Sequence, residues 1–97
     1  MSAINADRMD LIDSAVRSAL RPVSIAIEDE SHLHAGHAGA KTGMGHFHVV
    51  VVAEAFEGLR MLQRHRLIYD AVGNLMQTDI HALRIDAKAP SELKVST

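Results

Sequence analysis

The stretch that decides the fold is residues 56–87, which reads FEGLRMLQRHRLIYDAVGNLMQTDIHALRIDA. The dipeptide Glu57-Gly58 predicts a turn, and apolar residues then recur at helical spacing over residues 59–77. Residues 81–87 alternate as a strand, with His81 on the same side as the apolar members. His81 therefore stands where a helix passes into a strand, and it is our first candidate for a functional residue.

The predicted helix over 59–77 has one apolar stripe that includes a histidine. His65 lies within this stripe, so we expect it to be partly buried and structural, and we expect Arg64 and Arg66 to point outward on its flanks. Gly73 disfavours the helix by about 1 kcal/mol relative to alanine, and close packing is the only reason we can offer for it. The members of the stripe are Met61, His65, Ile68, Val72, Leu75 and Met76.

The first third of the chain predicts a helix followed by a short strand. Residues 6–20 are amphipathic, with Asn5 as the expected N-cap and Pro22 as the stop. Residues 24–29 alternate in the manner of a half-buried strand. Residues 30–45, ESHLHAGHAGAKTGMG, then form a loop rich in glycine and histidine, and loops of this length inside a compact domain are often functional.

The sequence HFHVVVVA over residues 46–53 is the strongest strand signal in the chain. Both of its faces are apolar, which indicates a central strand. After the strand at 81–87, Pro90 begins a short final turn over 90–93. The predicted order is α-β-β-α-β-α, an α+β fold with a three-stranded mixed sheet and helices on one face. We expect residues 1–97 to form one domain, with 1–5 and 94–97 frayed.

The composition excludes several classes of function. The chain has 97 residues, a net charge of −2 and no cysteine, so disulfides and a thiolate metal site within the chain are excluded. We find no apolar run long enough to span a bilayer and no targeting segment, and we expect a cytoplasmic location without membrane binding. We find no nucleophile turn, no phosphate-binding loop and no pair of carboxylates in an identifiable cleft. We therefore do not expect an enzyme or a small-molecule substrate.

Histidine is the unusual residue here. Five of the seven histidines fall between His32 and His48, and imidazole is the commonest metal-ligating side chain. Imidazole suits several first-row metals, so opportunistic binding of Zn²⁺ or another divalent ion by His32, His34 and His37 is an alternative interpretation. We do not expect a dedicated zinc site there, because a glycine-rich loop does not hold ligands rigidly. We expect His46 and His48 to be solvent-facing histidines of the strand over 46–53.

The chain carries several short motifs: Asp29-Glu30-Ser31, His34-Ala35, His46-Phe47, Phe56-x-Gly58, Arg64-His65-Arg66, Tyr69 and Ile80-His81-Ala82-Leu83. Together these motifs resemble those of the BolA family. They lie in the order and with nearly the spacing found in that family, over about residues 6–92, and the C-terminus departs from it because leucine rather than tryptophan follows Glu92. Phe56 and Gly58 are assigned structural roles.

The resemblance implies a class II KH-like fold and a non-enzymatic role in iron–sulfur chemistry. Family members pair with monothiol glutaredoxins and share a [2Fe–2S] cluster with them. The implied metal ligands are His81 and a loop residue that here matches His34, with His32 and His37 as alternatives. Because the chain has no thiolate, it can only donate imidazole nitrogen to a cluster that its partner mostly holds.

The resemblance also implies an alternative, a DNA-binding regulator of transcription associated with stress response, cell shape and biofilm. Its surface would be the helix carrying Arg64-His65-Arg66. Phosphate or partner contacts would come from four arginines, and the acidic net charge and scarcity of aromatic residues weigh against nucleic acid. These arginines are Arg60, Arg64, Arg66 and Arg84.

Overall fold

The computed structural model describes residues 3–31 and 43–93. The order of elements matches the prediction, except that the second helix is divided in two and the final helix is a 3-10 turn, Pro90–Glu92. No helix in the described ranges is long and apolar enough to cross a membrane. The elements are α1 (Ala3–Leu20), β1 (Ser24–Asp29), β2 (Gly45–Val52), a first 3-10 turn (Glu54–Phe56), α2 (Met61–Val72), α3 (Leu75–Thr78) and β3 (Ile80–Lys88).

The sheet has the order β1-β2-β3 and is mixed, as predicted. β1 pairs antiparallel with β2, and β3 pairs parallel with β2. β2 is central because both of its faces are apolar: Phe47, Val49 and Val51 are buried beneath the helices, while Val50 and Val52 lie on the opposite face. We call this opposite face, which the helices leave uncovered, the open face. Its polar residues include Glu28, His48, Arg84 and Asp86.

Helix α1 buries Ile12 and Val16 against this sheet. It begins at Ala3, so residues 3–5, which we expected to fray, are helical, and Asn5 lies inside the helix rather than capping it. The helix ends as expected before Pro22. Arg21 takes a positive φ of 46° there, because a proline disfavours the right-handed helical region for the residue before it.

The predicted helix over 59–77 is broken at Gly73. Gly73 has φ 51° and ψ −123°, a backbone conformation that separates α2 from α3. A Cβ added there would meet nothing closer than the Asp70 carbonyl oxygen at 3.7 Å. Close packing is therefore the wrong explanation for Gly73. The positive φ of its backbone is what favours glycine at this position.

The buried side of α2 differs from the predicted stripe. Arg64, Ile68 and Val72 are its buried residues, whereas Met61 is 53% exposed. The expectation that Arg64 points outward is wrong. Its guanidinium donates to two backbone carbonyl oxygens and pairs with Glu92, and these partners make its burial possible.

The beginning of β3 is irregular. Gly45 pairs with Ile80 but His46 pairs with Ala82, so β3 has one more residue than β2 at this point. Ile80 is buried and His81 is exposed, although alternation places His81 on the buried side of the strand. The extra residue shifts the phase of the strand, as β-bulges do, and our assignment of His81 to the core side is wrong.

Phe56 and Gly58, to which we assigned structural roles, lie just before α2. Phe56 is fully buried in the core, and Gly58 has a φ of 75°, which favours glycine. His65 is partly buried, as expected. The chain then returns after β3 to the Pro90–Glu92 turn, where Glu92 meets Arg64.

Candidate functional site

His81 lies at the bulge of β3 with its side chain exposed. Within the described residues, the ring of His46 on β2 stands close to it: the two ring centroids are 5.0 Å apart, at an interplanar angle of 50°. His46 is only 6% exposed. The sheet thus places a solvent-facing imidazole directly beside a buried one.

Helix α1 connects Gly43, which follows residues 32–42, to the region of His81. Arg8 forms an ion pair with Asp79 at 3.2 Å and donates to the Gly43 carbonyl oxygen at 2.8 Å. The Gly45 N–H in turn donates to the Asp79 carbonyl oxygen at 3.0 Å. One arginine therefore links Gly43 to the residues that immediately precede His81.

A second set of hydrogen bonds holds residues 29–31, which precede residues 32–42. Asn5 donates to Asp29 at 3.0 Å and to the Ser31 hydroxyl at 3.3 Å, while Ser31 Oγ accepts from the His46 N–H at 3.0 Å. The Glu30 N–H also donates to the His46 carbonyl oxygen at 2.7 Å. Both flanks of residues 32–42 thus meet beside His46 and its neighbour on β3.

The two carboxylates in this network are held in their charged form. Burial alone raises the pKa of Asp29, but hydrogen bonds from Ser31 and Asn5 outweigh it, so the pKa lies below its ordinary value. The Thr78 hydroxyl and then Arg8 lower the pKa of Asp79. Both groups are acceptors that keep the flanks of residues 32–42 in place at neutral pH.

The loop candidates His32, His34 and His37 lie outside the described residues. The site therefore rests on His81, on His46 and on the two flanks that the network fixes. Two residues of this region, His46 and the anchoring residue Arg8, are not predicted from the sequence to be parts of a site. Helical spacing marks Arg8 only as a polar position, and no local signal reveals that its partner Asp79 is 71 residues away.

The expectation that His46 and His48 face solvent is wrong. His46 is buried, and the His48 side chain is only 12% exposed. His48 Nε2 lies 2.8 Å from Asp86 Oδ2, and Nδ1 lies 3.1 Å from Arg84 Nη2. Neighbouring side chains on the open face cover His48, and alternation along one strand does not reveal them.

The four arginines fall into three environments. Arg64 is buried with internal partners, so its contacts are intramolecular. Arg84 is exposed and pairs with Glu30 at 2.7 Å. Arg60, which precedes α2, and Arg66 on α2 are exposed. The outward-facing basic surface of α2 thus contains Arg60 and Arg66 rather than Arg64 and Arg66.

The chemistry that this arrangement allows is metal ligation by imidazole. An exposed imidazole on a strand bulge can bind a metal without disturbing the core, and with no cysteine in the chain a sulfur-rich metal group would need thiolates from another molecule.

The family model described as "BolA-like protein" matches residues 16–92. The chain belongs to the BolA family.

Relatives from plants and bacteria agree with this assignment. The chloroplastic protein BOLA1 of Arabidopsis thaliana is 40% identical over 89 residues, which are 89% of this chain and 56% of that protein. The DNA-binding transcriptional regulator BolA of Escherichia coli is 39% identical over 74 residues, which are 76% of this chain and 68% of that protein. The chain spans about half the length of the plant relative. Both relatives carry the names of BolA proteins or regulators rather than of enzymes.

Solved BolA structures share the fold. The structure of BolA1 from Arabidopsis thaliana has a TM-score of 0.76 and 36% identity, and the match covers 90% of this chain and 96% of that one. The solution structure of BolA1 from Mus musculus has a TM-score of 0.72 and 36% identity, and the match covers 95% of this chain and 69% of that one. The three-stranded mixed sheet with helices on one face is thus the BolA fold.

Proposed function

We propose that this BolA-family protein is an iron–sulfur accessory protein that binds a monothiol glutaredoxin and donates imidazole to a [2Fe–2S] cluster held between them. The observation that carries the proposal is the exposed His81 ring at the bulge of β3. A ligand at that position is reachable by another molecule, and its coordination needs no movement of the buried residues Ile80 and Leu83.

The partner must hold most of the cluster. Iron in such clusters is normally bound by cysteine thiolates, and histidine can replace two of them on one iron. This chain supplies no thiolate, so cluster binding depends on a cysteine-bearing partner. Neutral imidazole in place of thiolate raises the reduction potential of such a cluster, which suits a role in sensing or transferring it.

The second ligand is proposed to come from the loop, with His34 as the first choice and His32 and His37 as alternatives. His46 is a further candidate because its ring centroid lies 5.0 Å from that of His81. The hydrogen-bond network around Arg8 and Asn5 supports a loop ligand, since it fixes both flanks of residues 32–42 beside these two rings.

The surface that docks the glutaredoxin is proposed to include Arg66, together with Arg60, because both are exposed. Arg64 instead contributes by holding α2 against β3 and the final turn through Ala87 and Glu92. Substitution of Arg66 should therefore weaken docking without loss of the fold, whereas substitution of Arg64 should also reduce stability.

The test is a mixing experiment with a reconstituted monothiol glutaredoxin. The holo-glutaredoxin is titrated with this protein while visible absorption and circular dichroism follow the cluster. We expect wild type to change both spectra and His81→Ala to change them little. His65→Ala is the matched control, because this partly buried histidine of α2 is not part of the proposed site, and it should behave as wild type.

The same experiment ranks the second ligand. Among His32→Ala, His34→Ala, His37→Ala and His46→Ala, the variant that matches His81→Ala in its spectrum identifies the position, provided that its far-ultraviolet spectrum shows a folded chain. If wild type leaves the glutaredoxin spectra unchanged, or if His81→Ala changes them as fully as wild type, the cluster proposal is wrong.

A second candidate function is DNA binding by α2, which the exposed Arg60 and Arg66 favour. The Escherichia coli relative is named a DNA-binding transcriptional regulator. Fluorescence anisotropy with promoter duplexes at several salt concentrations tests this function. If each arginine binds one phosphate, Arg60→Ala and Arg66→Ala should each reduce the salt slope by about 1. Sub-micromolar binding at physiological salt, with glutaredoxin spectra unaffected, would favour DNA binding.

A further inference from the structure

A second group of potential metal ligands lies on the open face of the sheet, apart from His81. Glu28 on β1 stands opposite His48 on β2, and Glu30 follows the end of β1. One ligand atom from each of these three residues lies within 4.8 Å of the others. Two carboxylates and one imidazole are a donor set that suits first-row divalent cations such as Zn²⁺.

The hydrogen bonds of His48 settle which ring nitrogen has a lone pair. Arg84 has only N–H donors, so its Nη2, 3.1 Å from His48 Nδ1, must donate to that nitrogen. Nδ1 therefore carries the lone pair, and Nε2–H donates to Asp86 Oδ2 at 2.8 Å. A metal-bound histidine needs the same state: one nitrogen free to ligate, and the other donating to a carboxylate that orients the ring.

A positively charged side chain already lies among these ligands. The Arg84 guanidinium makes two hydrogen bonds to Glu30, at 3.2 and 2.7 Å, in addition to its bond to His48. The open face thus stabilises positive charge at the point toward which the ligand atoms converge.

Arg84 is far more exposed than the two ligands that it binds. Its side chain is 62% exposed, whereas those of Glu30 and His48 are 13% and 12% exposed. Arg84 can therefore turn into solvent and leave two well-covered ligands in place. An exposed ion pair contributes only about 0.2–1 kcal/mol, so a divalent ion held by three ligands can displace it.

We propose that Glu28, Glu30 and His48 form a binding site for a divalent first-row cation, represented by Zn²⁺, which enters when Arg84 turns out to solvent. Asp86 is the positioning residue of this site because it holds the His48 ring. Water completes the coordination, as in zinc sites with three protein ligands. The site uses neither His81 nor the loop histidines, and it does not depend on the function proposed above.

The experiment titrates the protein with Zn²⁺ in a calorimeter, in a background where His32, His34 and His37 are all replaced by alanine. We expect one Zn²⁺ to bind in this background. His48→Ala should abolish the binding, and Asp86→Asn should weaken it by about 10- to 100-fold. Arg84→Gln should strengthen it by up to about fivefold, the equivalent of one surface ion pair.

Two readouts separate ligation from a general effect on folding. His65→Ala in the same background is the matched control and should keep the affinity of the triple-alanine parent. In that parent, nitrogen NMR of the histidine rings should show the Nδ1 signal of His48 shifting on Zn²⁺ addition while Nε2 stays protonated. Absence of Zn²⁺ binding in the triple-alanine parent, or unchanged affinity in His48→Ala, would overturn the proposal.

Discussion

Arg64 of α2 and Glu92 of the final 3-10 turn form a two-point ion pair, with N–O distances of 2.5 and 3.0 Å. The same carboxylate accepts from the Ala89 N–H at 2.8 Å, and Arg64 also donates to the carbonyl oxygens of Leu59 and Ala87. One side-chain pair therefore joins α2, the end of β3 and the C-terminal turn.

The pair predicts a specific dependence of stability on acid. Hydrogen bonding to Arg64, and then to the Ala89 N–H, lowers the pKa of Glu92 from 4.5 to about 2. A carboxyl whose pKa is depressed in the folded state stabilises the protein above its unfolded-state pKa and loses that contribution as pH falls. The stabilisation by Glu92 should therefore be complete above pH 4.5 and disappear toward about pH 2.

Glu92→Gln should be less stable than wild type at neutral pH, and the difference in unfolding free energy should shrink between these two pH values. Urea denaturation of both proteins at a series of pH values measures this difference in unfolding free energy. Glu54→Gln, which alters an exposed carboxylate of the first 3-10 turn, is the control. If the difference in unfolding free energy stays constant as the pH falls to about 2, the charge of Glu92 is not what stabilises the fold.

Gly73→Ala should destabilise the protein by about 1–3 kcal/mol. The positive φ at Gly73 is strained for any residue with a Cβ, while the 3.7 Å approach to Asp70 leaves ordinary space for one. Chemical denaturation measures the change. The neighbouring Asn74→Ala should stay within about 0.5 kcal/mol of wild type, since Asn74 has helical angles of −63° and −16°. Equal effects at both positions would contradict the backbone explanation.

Gly45→Ala should destabilise the protein by about 1–3 kcal/mol, through a steric clash and not through backbone strain. A Cβ at Gly45 would overlap the ring of Phe47, which is only 1% exposed and has little room to move. Combining Gly45→Ala with Phe47→Leu removes the overlap, so the double variant should be more stable than the sum of the two single changes predicts. Strict additivity in denaturation experiments would rule out this clash.

Much of the fold follows from local pattern. The alternation over residues 24–29 and the valines of β2 predict the two strands correctly because side-chain burial in a strand repeats every two residues. Pro22 marks the end of α1 because its effect is confined to the residue before it. The resemblance to BolA proteins adds the arrangement of the elements, which the family match confirms.

The errors arise where distant residues decide the environment of a side chain. Arg64 is predicted at the surface because its acceptor, Glu92, stands 28 positions away. His46 and His48 are predicted to face solvent because alternation along one strand does not reveal neighbours on β3 such as His81 and Asp86. His81 is predicted on the core side because alternation assumes regular pairing, and the irregularity depends on how β3 aligns with β2.

The bulge at the start of β3 places one side chain outside the hydrophobic core. Its extra residue carries an outward side chain that the ladder does not need, and the inward positions on either side are filled by Ile80 and Leu83. Replacing the side chain at position 81 therefore leaves the buried residues Ile80 and Leu83 in place. The surface chemistry of β3 can in this way be changed independently of the packing beneath it.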